Sequence, residues 1–219
     1  MEHRKFSKHI VLSILYDVNP SQVKQQTGSF AEAYADNIIP SKINISSYFN
    51  EILHVQNKLY RTALYVPPYL VGIDFLVTCI NWWLGDGSNK VGIATIYGIG
   101  GIGKTTIAKV VYNLNIQKFE EYSFLDDVRE TTQECNGLVH LQRHLILDIL
   151  KGKANKIYNL DDGITKIKEP ICRRRVLLVL DDVFDLEASS SYGDLCKGFE
   201  VKELAFNESL QLFNQYAFG

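Results

Sequence analysis

Four glycines, a lysine and a hydroxyl at fixed spacing carry the first chemical signal: Gly98-Ile99-Gly100-Gly101-Ile102-Gly103-Lys104-Thr105, followed by Thr106. This is the spacing of a loop that cradles phosphate. Phosphate oxygens must be met by backbone N–H groups at close range, so side chains are nearly excluded and positive φ must be accessible. The positive end of a following helix then faces the anion. Lys104 is placed to reach the β- and γ-phosphates as a point charge, and the Thr105 hydroxyl to ligate Mg²⁺. A second signal lies downstream, in Arg173-Arg-Arg-Val-Leu-Leu-Val-Leu180-Asp181-Asp182-Val183. An apolar strand ending in two carboxylates is the Walker B arrangement. It presents Asp181 at the carboxyl end of a parallel sheet, where Mg²⁺ is held, and Asp182 as a catalytic group able to orient water.

A competing pattern runs through the same glycines. Gly98, Gly100 and Gly103 also satisfy G-x-G-x-x-G, and Asp126 follows the next apolar run, where a ribose-binding carboxylate of a dinucleotide fold would stand. Lys104-Thr105-Thr106 and the Asp181-Asp182 strand favour the mononucleotide loop, since a dinucleotide turn has no use for either. A purely structural glycine turn is the third reading; Lys-Thr-Thr opening a helix argues against it.

The elements needed to position these groups are legible from periodicity. Val91 to Tyr97 reads as a buried strand running into the loop, and Lys104 to Val111 as the helix leaving it. Tyr122 to Leu125 reads as a second strand. Leu138 to Leu150 reads as a helix with Leu138, Leu141, Leu145 and Ile149 on one face. Asp162 to Cys172 reads as another, with Pro170 breaking its last turn. Phe75 to Leu84 reads as a helix with Ile80, Trp83 and Leu84 inward, ended by Gly85-Asp-Gly-Ser88. Phe199 to Leu204 and Asn207 to Gly219 read as a strand and a helix. Near the amino terminus, Ile10 to Tyr16 reads as a buried strand closed by Asp17-Val-Asn-Pro20. Helices are expected from Ser21 to Ala35 and from Ser47 to Leu59, and Pro67-Pro68 breaks the chain as a linker does.

Composition excludes several classes. The chain has 219 residues, 46% of them hydrophobic and 22% charged, with a formal net charge of −2. Such a balance suits a soluble globular protein and does not suit a general polyanion binder, so no direct nucleic-acid binding is expected. Cys79, Cys135, Cys172 and Cys196 lack short paired spacings and read as reduced thiols. His140 and His144 stand one helical turn apart without a third ligand motif, which reads as a solvated face rather than a metal site. Ile10 to Tyr16 is short for a leader and has no small-residue cleavage site. Ala63 to Leu84 is interrupted by Pro67, Pro68 and Asp74, so no membrane association is expected. A cytoplasmic protein, with the nucleus also open to it, is the expectation.

Several stretches resemble plant immune receptors. Tyr16 to Tyr34 (YDVNPSQVKQQTGSFAEAY) resembles the segment after a late strand of the TIR domain. Tyr69-Leu-Val-Gly-Ile-Asp74 is similar to the segment preceding the glycine loop in NB-ARC domains of plant disease-resistance proteins, which makes Val71 and Ile73 candidate adenine contacts. FLDDVRE (Phe124 to Glu130) resembles the motif after the loop helix in the TIR-linked form. The resemblance implies an α/β P-loop NTPase (NB-ARC) parallel-sheet core behind a partial, flavodoxin-like TIR remnant. Residues 1–46 are then the partial TIR domain, 47–68 a linker, and 69–219 a partial NB-ARC domain. The chain departs from the family at Phe184, where Asp is usual. It departs again at Ala188 to Gly198, which stand in place of a longer segment bearing a strand that ends in Thr-Thr-Arg. In the family's class that strand lies between the glycine-loop strand and the Walker B strand. Its loss is expected either to bring those two strands into direct pairing or to leave the core marginally stable.

The resemblance implies an ADP/ATP-binding switch in plant defence signalling, with Mg²⁺ as metal. Partners would be immune receptors carrying TIR or NB-ARC domains. Two other functions remain open: an active P-loop ATPase or kinase, and a non-binding interaction fragment that modulates full-length receptors. The missing phosphate-sensing arginine implies slow turnover at most. NAD⁺ cleavage by the TIR-like part is not expected, because the strands and glutamate-bearing helix that precede Tyr16 in a full TIR domain do not fit into the residues before Ile10.

Overall fold

The computed structural model describes residues 9–15, 63–85, 91–150, 156–183 and 196–218. Five parallel strands form one sheet: β1 (His9–Leu15), β2 (Gly92–Tyr97), β3 (Glu121–Leu125), β4 (Val176–Val183) and β5 (Cys196–Glu200). Their spatial order is β3-β4-β1-β2-β5. The described helices are α1 (Asp74–Leu84), α2 (Lys104–Asn115), α3 (Val128–Gln133), α4 (Gly137–Ile149), α5 (Leu160–Arg173) and α6 (Phe206–Phe218). The parallel strands carry near-continuous apolar runs because helices cover both faces of the sheet.

Side-chain alternation along β4 divides the core in two. Leu177 and Val179 point toward α1 and α2, joining Ile80, Ala94, Ile96, Ile107 and Val111 in the larger cluster. Val176, Leu178 and Leu180 point the other way, against Leu145 and Ile149 of α4 and Ile167 and Ile171 of α5. That period of two is what a strand buried on both faces requires. Trp83 packs edge-on to Phe199, with ring centroids 6.3 Å apart, whereas Trp82 is exposed.

The centre of the sheet corrects an expectation. Neither direct pairing of the glycine-loop strand with the Walker B strand nor a pair of unfilled edges is found. Instead β1 lies between them. It pairs with β2 from Ile10 opposite Gly92 to Ile14 opposite Ile96, and with β4 from His9 opposite Val176 to Ser13 opposite Leu180. The physical reason is the cost of the alternative: each buried N–H or C=O left unpaired costs about 1–3 kcal/mol. An apolar amino-terminal strand removes that cost on both sides at once.

Smaller differences have local causes. Pro170 sits inside α5, which continues to Arg173; the ring removes one N–H but Ile167 and Ile171 remain packed against α4 and β4. The strand expected at Phe199 to Leu204 runs instead from Cys196 to Glu200. Its ladder closes with the Val201 N–H donating to Tyr97 O at 2.8 Å, and the chain then leaves the sheet. Arg173 pairs with Glu169, Arg174 with Glu121, and Arg175 lies over the Phe119 ring, so the triple arginine is absorbed at the α5–β4 junction. All four cysteines are unpaired. The helices read at Ser21 to Ala35 and Ser47 to Leu59, and the TIR-like stretch from Tyr16, lie outside the described residues. Among the described residues no helix is long and apolar enough to cross a membrane.

The fully buried Leu12 is the test of the central strand. Leu12→Ala is expected to lower stability by about 2–5 kcal/mol in a denaturant titration, as for other buried leucines. A loss below about 0.5 kcal/mol would contradict the placement of β1.

Candidate functional site

Glycine chemistry determines how the chain leaves β2. Gly101 and Gly103 adopt φ of +75° and +99°, in the left-handed region open to glycine. Gly103 is the residue before α2, so the loop ends with N–H groups directed along the helix axis. Lys104 is buried; its ammonium donates to Gly98 O at 3.0 Å and Ile99 O at 2.8 Å. The lysine therefore folds across the loop that it follows, with its charge inside the turn.

Thr105 and Asp181 meet as the two sequence motifs require. The Thr105 hydroxyl donates to Asp181 Oδ1 at 3.0 Å, and the Asp182 N–H donates to the same oxygen at 3.0 Å. Burial pushes the Asp181 carboxyl above its ordinary range, while the hydrogen bonds from Thr105 and Asp182 oppose that shift. Asp126 raises it further and Lys109 lowers it. A hydroxyl and a carboxylate side by side are two hard oxygen donors. That set fits Mg²⁺, which uses one or two protein oxygens and completes its octahedron with water and phosphate.

Asp182 is held differently. Ser13 of β1 pairs with Leu180 and Leu15 with Val183, so Asp181 and Asp182 together face the single position Ile14. This is a bulge, and it bends the strand end where the acids stand. Asp182 adopts φ of +54° there, and its Oδ2 lies 3.1 Å from Arg129 Nε of α3.

The other side of the loop opens onto a cavity of about 740 Å³, a size typical of small-molecule sites. Val71, Ile73, Gly101, Ile102, Gly103 and Thr106 line it, together with residues 200–204 and the α6 side chains Glu208, Leu212 and Tyr216. The structure thus brings Val71 and Ile73 to the same cavity as the loop. Gly98, Ile99, Gly100, Lys104 and Thr105 are not on its wall: Gly98 packs behind it against Val201, and Thr105 turns toward Asp181 of β4. Tyr69 meets Tyr216 edge-on, with ring centroids 5.4 Å apart. Gly72, at φ +74°, closes this wall: a Cβ there would come within 2.4 Å of Leu204 Cδ2 and 3.2 Å of Glu208 Oε1.

Asp126 stands at the end of β3, which β4 and β1 separate from β2. In a dinucleotide fold the acid-bearing strand is adjacent to the glycine strand, so this topology does not support that alternative. His144 lies 3.8 Å from Asp148, and no group of three or more His, Cys, Asp or Glu placed to hold a metal occurs among the described residues. Sequence reasoning missed Gly72 and Arg129 as contributors. Both stood within motifs already noted, but their roles depend on contacts with distant elements.

The family profile of the NB-ARC domain matches residues 76–195. The chain is similar to disease resistance protein RPV1 of Vitis rotundifolia, with 35% identity across all of this chain and 19% of the relative. It is 34% identical to disease resistance protein RUN1 of the same species, over 98% of this chain and 20% of that protein. TMV resistance protein N of Nicotiana glutinosa is 29% identical over all of this chain and 24% of its own length. The chain therefore spans about a fifth of the length of these curated relatives.

Gly72→Ala tests the cavity. It is expected to destabilise the chain by about 1–3 kcal/mol through the left-handed backbone and to force Leu204 outward. Adenine-nucleotide affinity, measured by calorimetry, should fall at least about fivefold with it. Unchanged affinity would remove this wall from the site.

Proposed function

This chain belongs to the NB-ARC family, and from that premise we propose that it is the ADP/ATP-binding switch module of a plant immune receptor. The observation that carries the reading is the Thr105–Asp181 contact: it joins the glycine loop to the Walker B acid at one end of the sheet. Gly98 to Thr106 hold the phosphates, with Lys104 as the cation. Val71 and Ile73 flank the adenine in the adjoining cavity. Thr105 and Asp181 hold Mg²⁺, which supplies charge neutralisation between phosphates when bound. Asp182 orients a water, and hydrolysis is slow at most, in keeping with a switch rather than a turnover enzyme.

The relatives' names place them in disease resistance, which supports a defence-signalling role; receptors with TIR or NB-ARC domains are the proposed partners. The cytoplasm is the proposed compartment, with the nucleus also open to it. Residues 1–46 are proposed as TIR-derived, 47–68 as linker and 69–219 as the NB-ARC part, with the TIR-derived strand lent to the NB-ARC sheet. NAD⁺ cleavage is not part of this reading. The alignment with the first Vitis relative runs over 272 residues against the 219 of this chain, which supports an internal shortening.

Nucleotide extracted from purified protein should be ADP. Added ADP at about 100 times its Kd should stabilise the native chain by about 2.7 kcal/mol, read as a thermal shift. Lys104→Ala is expected to abolish that shift while leaving the unliganded melting temperature within a few degrees. Equal shifts in wild type and variant would overturn the assignment of Lys104, and no shift in either would overturn the nucleotide reading.

A further inference from the structure

Negative charge accumulates where β3 and β4 end. Asp126 follows β3, and Asp181 and Asp182 close β4. A site for a polyphosphate does not accommodate three nearby carboxylates unless cations offset them. Lys104 donates to Gly98 O and Ile99 O within the loop, where it is assigned to the phosphates. Lys109 acts on Asp181. Asp182 is engaged by a different cation, Arg129, at 3.1 Å.

Three features show that this pair is built into the site. Asp182 has a left-handed backbone at φ +54°, and Asp127, the residue opening α3, has φ +48°. Such conformations are costly at non-glycine residues and persist where the surroundings enforce them. The bulge opposite Ile14 turns the end of β4. Finally, Oδ1 of Asp182 is buried and has no hydrogen-bond partner among the described residues, while Oδ2 takes the arginine. One carboxylate oxygen is thus fixed and the other is left as an acceptor beside Asp181.

We infer that Arg129 is a positioning residue that sets the preference between ATP and ADP. By pairing with Asp182 it cancels a carboxylate charge at the terminal-phosphate end of the site, which lets the additional phosphate of ATP enter. The inference rests on the nucleotide-binding reading above. It follows from where the pair sits: Asp182 donates its N–H to the same Asp181 oxygen that Thr105 engages, so its carboxylate borders the metal and γ-phosphate side, not the base. ADP places no phosphate there and is less sensitive to the charge.

The test measures affinities of the full chain for ADP and for the non-hydrolysable β,γ-methylene analogue of ATP, by calorimetry with magnesium. Arg129→Gln removes the charge and keeps a hydrogen-bonding side chain. It should weaken the ATP analogue about tenfold relative to ADP, within the range typical of coupling between sites. Asp182→Asn should shift the ratio the opposite way, toward the ATP analogue. The double variant should return it close to wild type, and Arg129→Lys should retain most of it. Equal losses for both ligands, an unchanged ratio, or a double variant no better than Arg129→Gln would each overturn the inference, because a merely structural arginine produces those results. Loss of ADP binding in the variants alone has the same meaning. Failure of the wild-type chain to bind ADP would instead remove the underlying reading, and the inference with it.

Discussion

The backbone ladder on either side of β1 is the constraint on which the rest of this molecule depends. The glycine loop follows β2 and the acidic pair ends β4, and these two strands do not touch. Their separation is set by one intervening strand, hydrogen-bonded to β2 on one side and to β4 on the other. A contact of 3.0 Å between Thr105 and Asp181 requires that spacing to be correct to a fraction of an ångström. Several unpaired buried amides at about 1–3 kcal/mol each would rival the whole stability of an ordinary domain, about 5–15 kcal/mol. Filling the centre of the sheet is therefore as much a condition of the site as the glycines are.

β1 also shapes the chemistry at the strand ends. It pairs in register with β4 up to Ser13, and the bulge then sets two acids against one position. One of those acids receives Thr105 and the other receives Arg129. Without the bulge, alternation along β4 would send the two side chains to opposite faces. The sheet thus gathers a hydroxyl, two carboxylates and a guanidinium from three elements, α2, β4 and α3, at its carboxyl end, where open parallel sheets carry their ligands. Beyond the loop, Gly72 lets the segment after Pro68 approach Leu204 and Glu208 closely enough to wall the cavity.

Much of this was legible in the sequence, for reasons that are local. The glycine loop, its lysine and its threonine declare themselves because backbone approach and positive φ restrict residue choice. The apolar run before Asp181 declares a buried parallel strand. The amphipathic spacing of Leu138, Leu141, Leu145 and Ile149 declares a helix, although Leu138 in its first turn is exposed and Val139 is buried instead. What was not legible depends on partners far along the chain. Periodicity identifies Ile10 to Tyr16 as a strand but does not say between which neighbours it lies. Pro170 suggested a break that packing of Ile167 and Ile171 prevents. The polar run Lys202-Glu203 belongs to a cavity wall, which moved the last strand back to Cys196. Arg129 and Gly72 acquire meaning only when Asp182 and Leu204 arrive beside them.

Amide hydrogen exchange, resolved by residue across β1, tests the central claim most directly. The sheet order predicts that Val11, Leu12 and Ser13 exchange only through global unfolding, as slowly as Ala94 of β2 and Val179 of β4. Exchange at those three positions as fast as in unstructured peptide, with β2 and β4 still protected, would contradict the account.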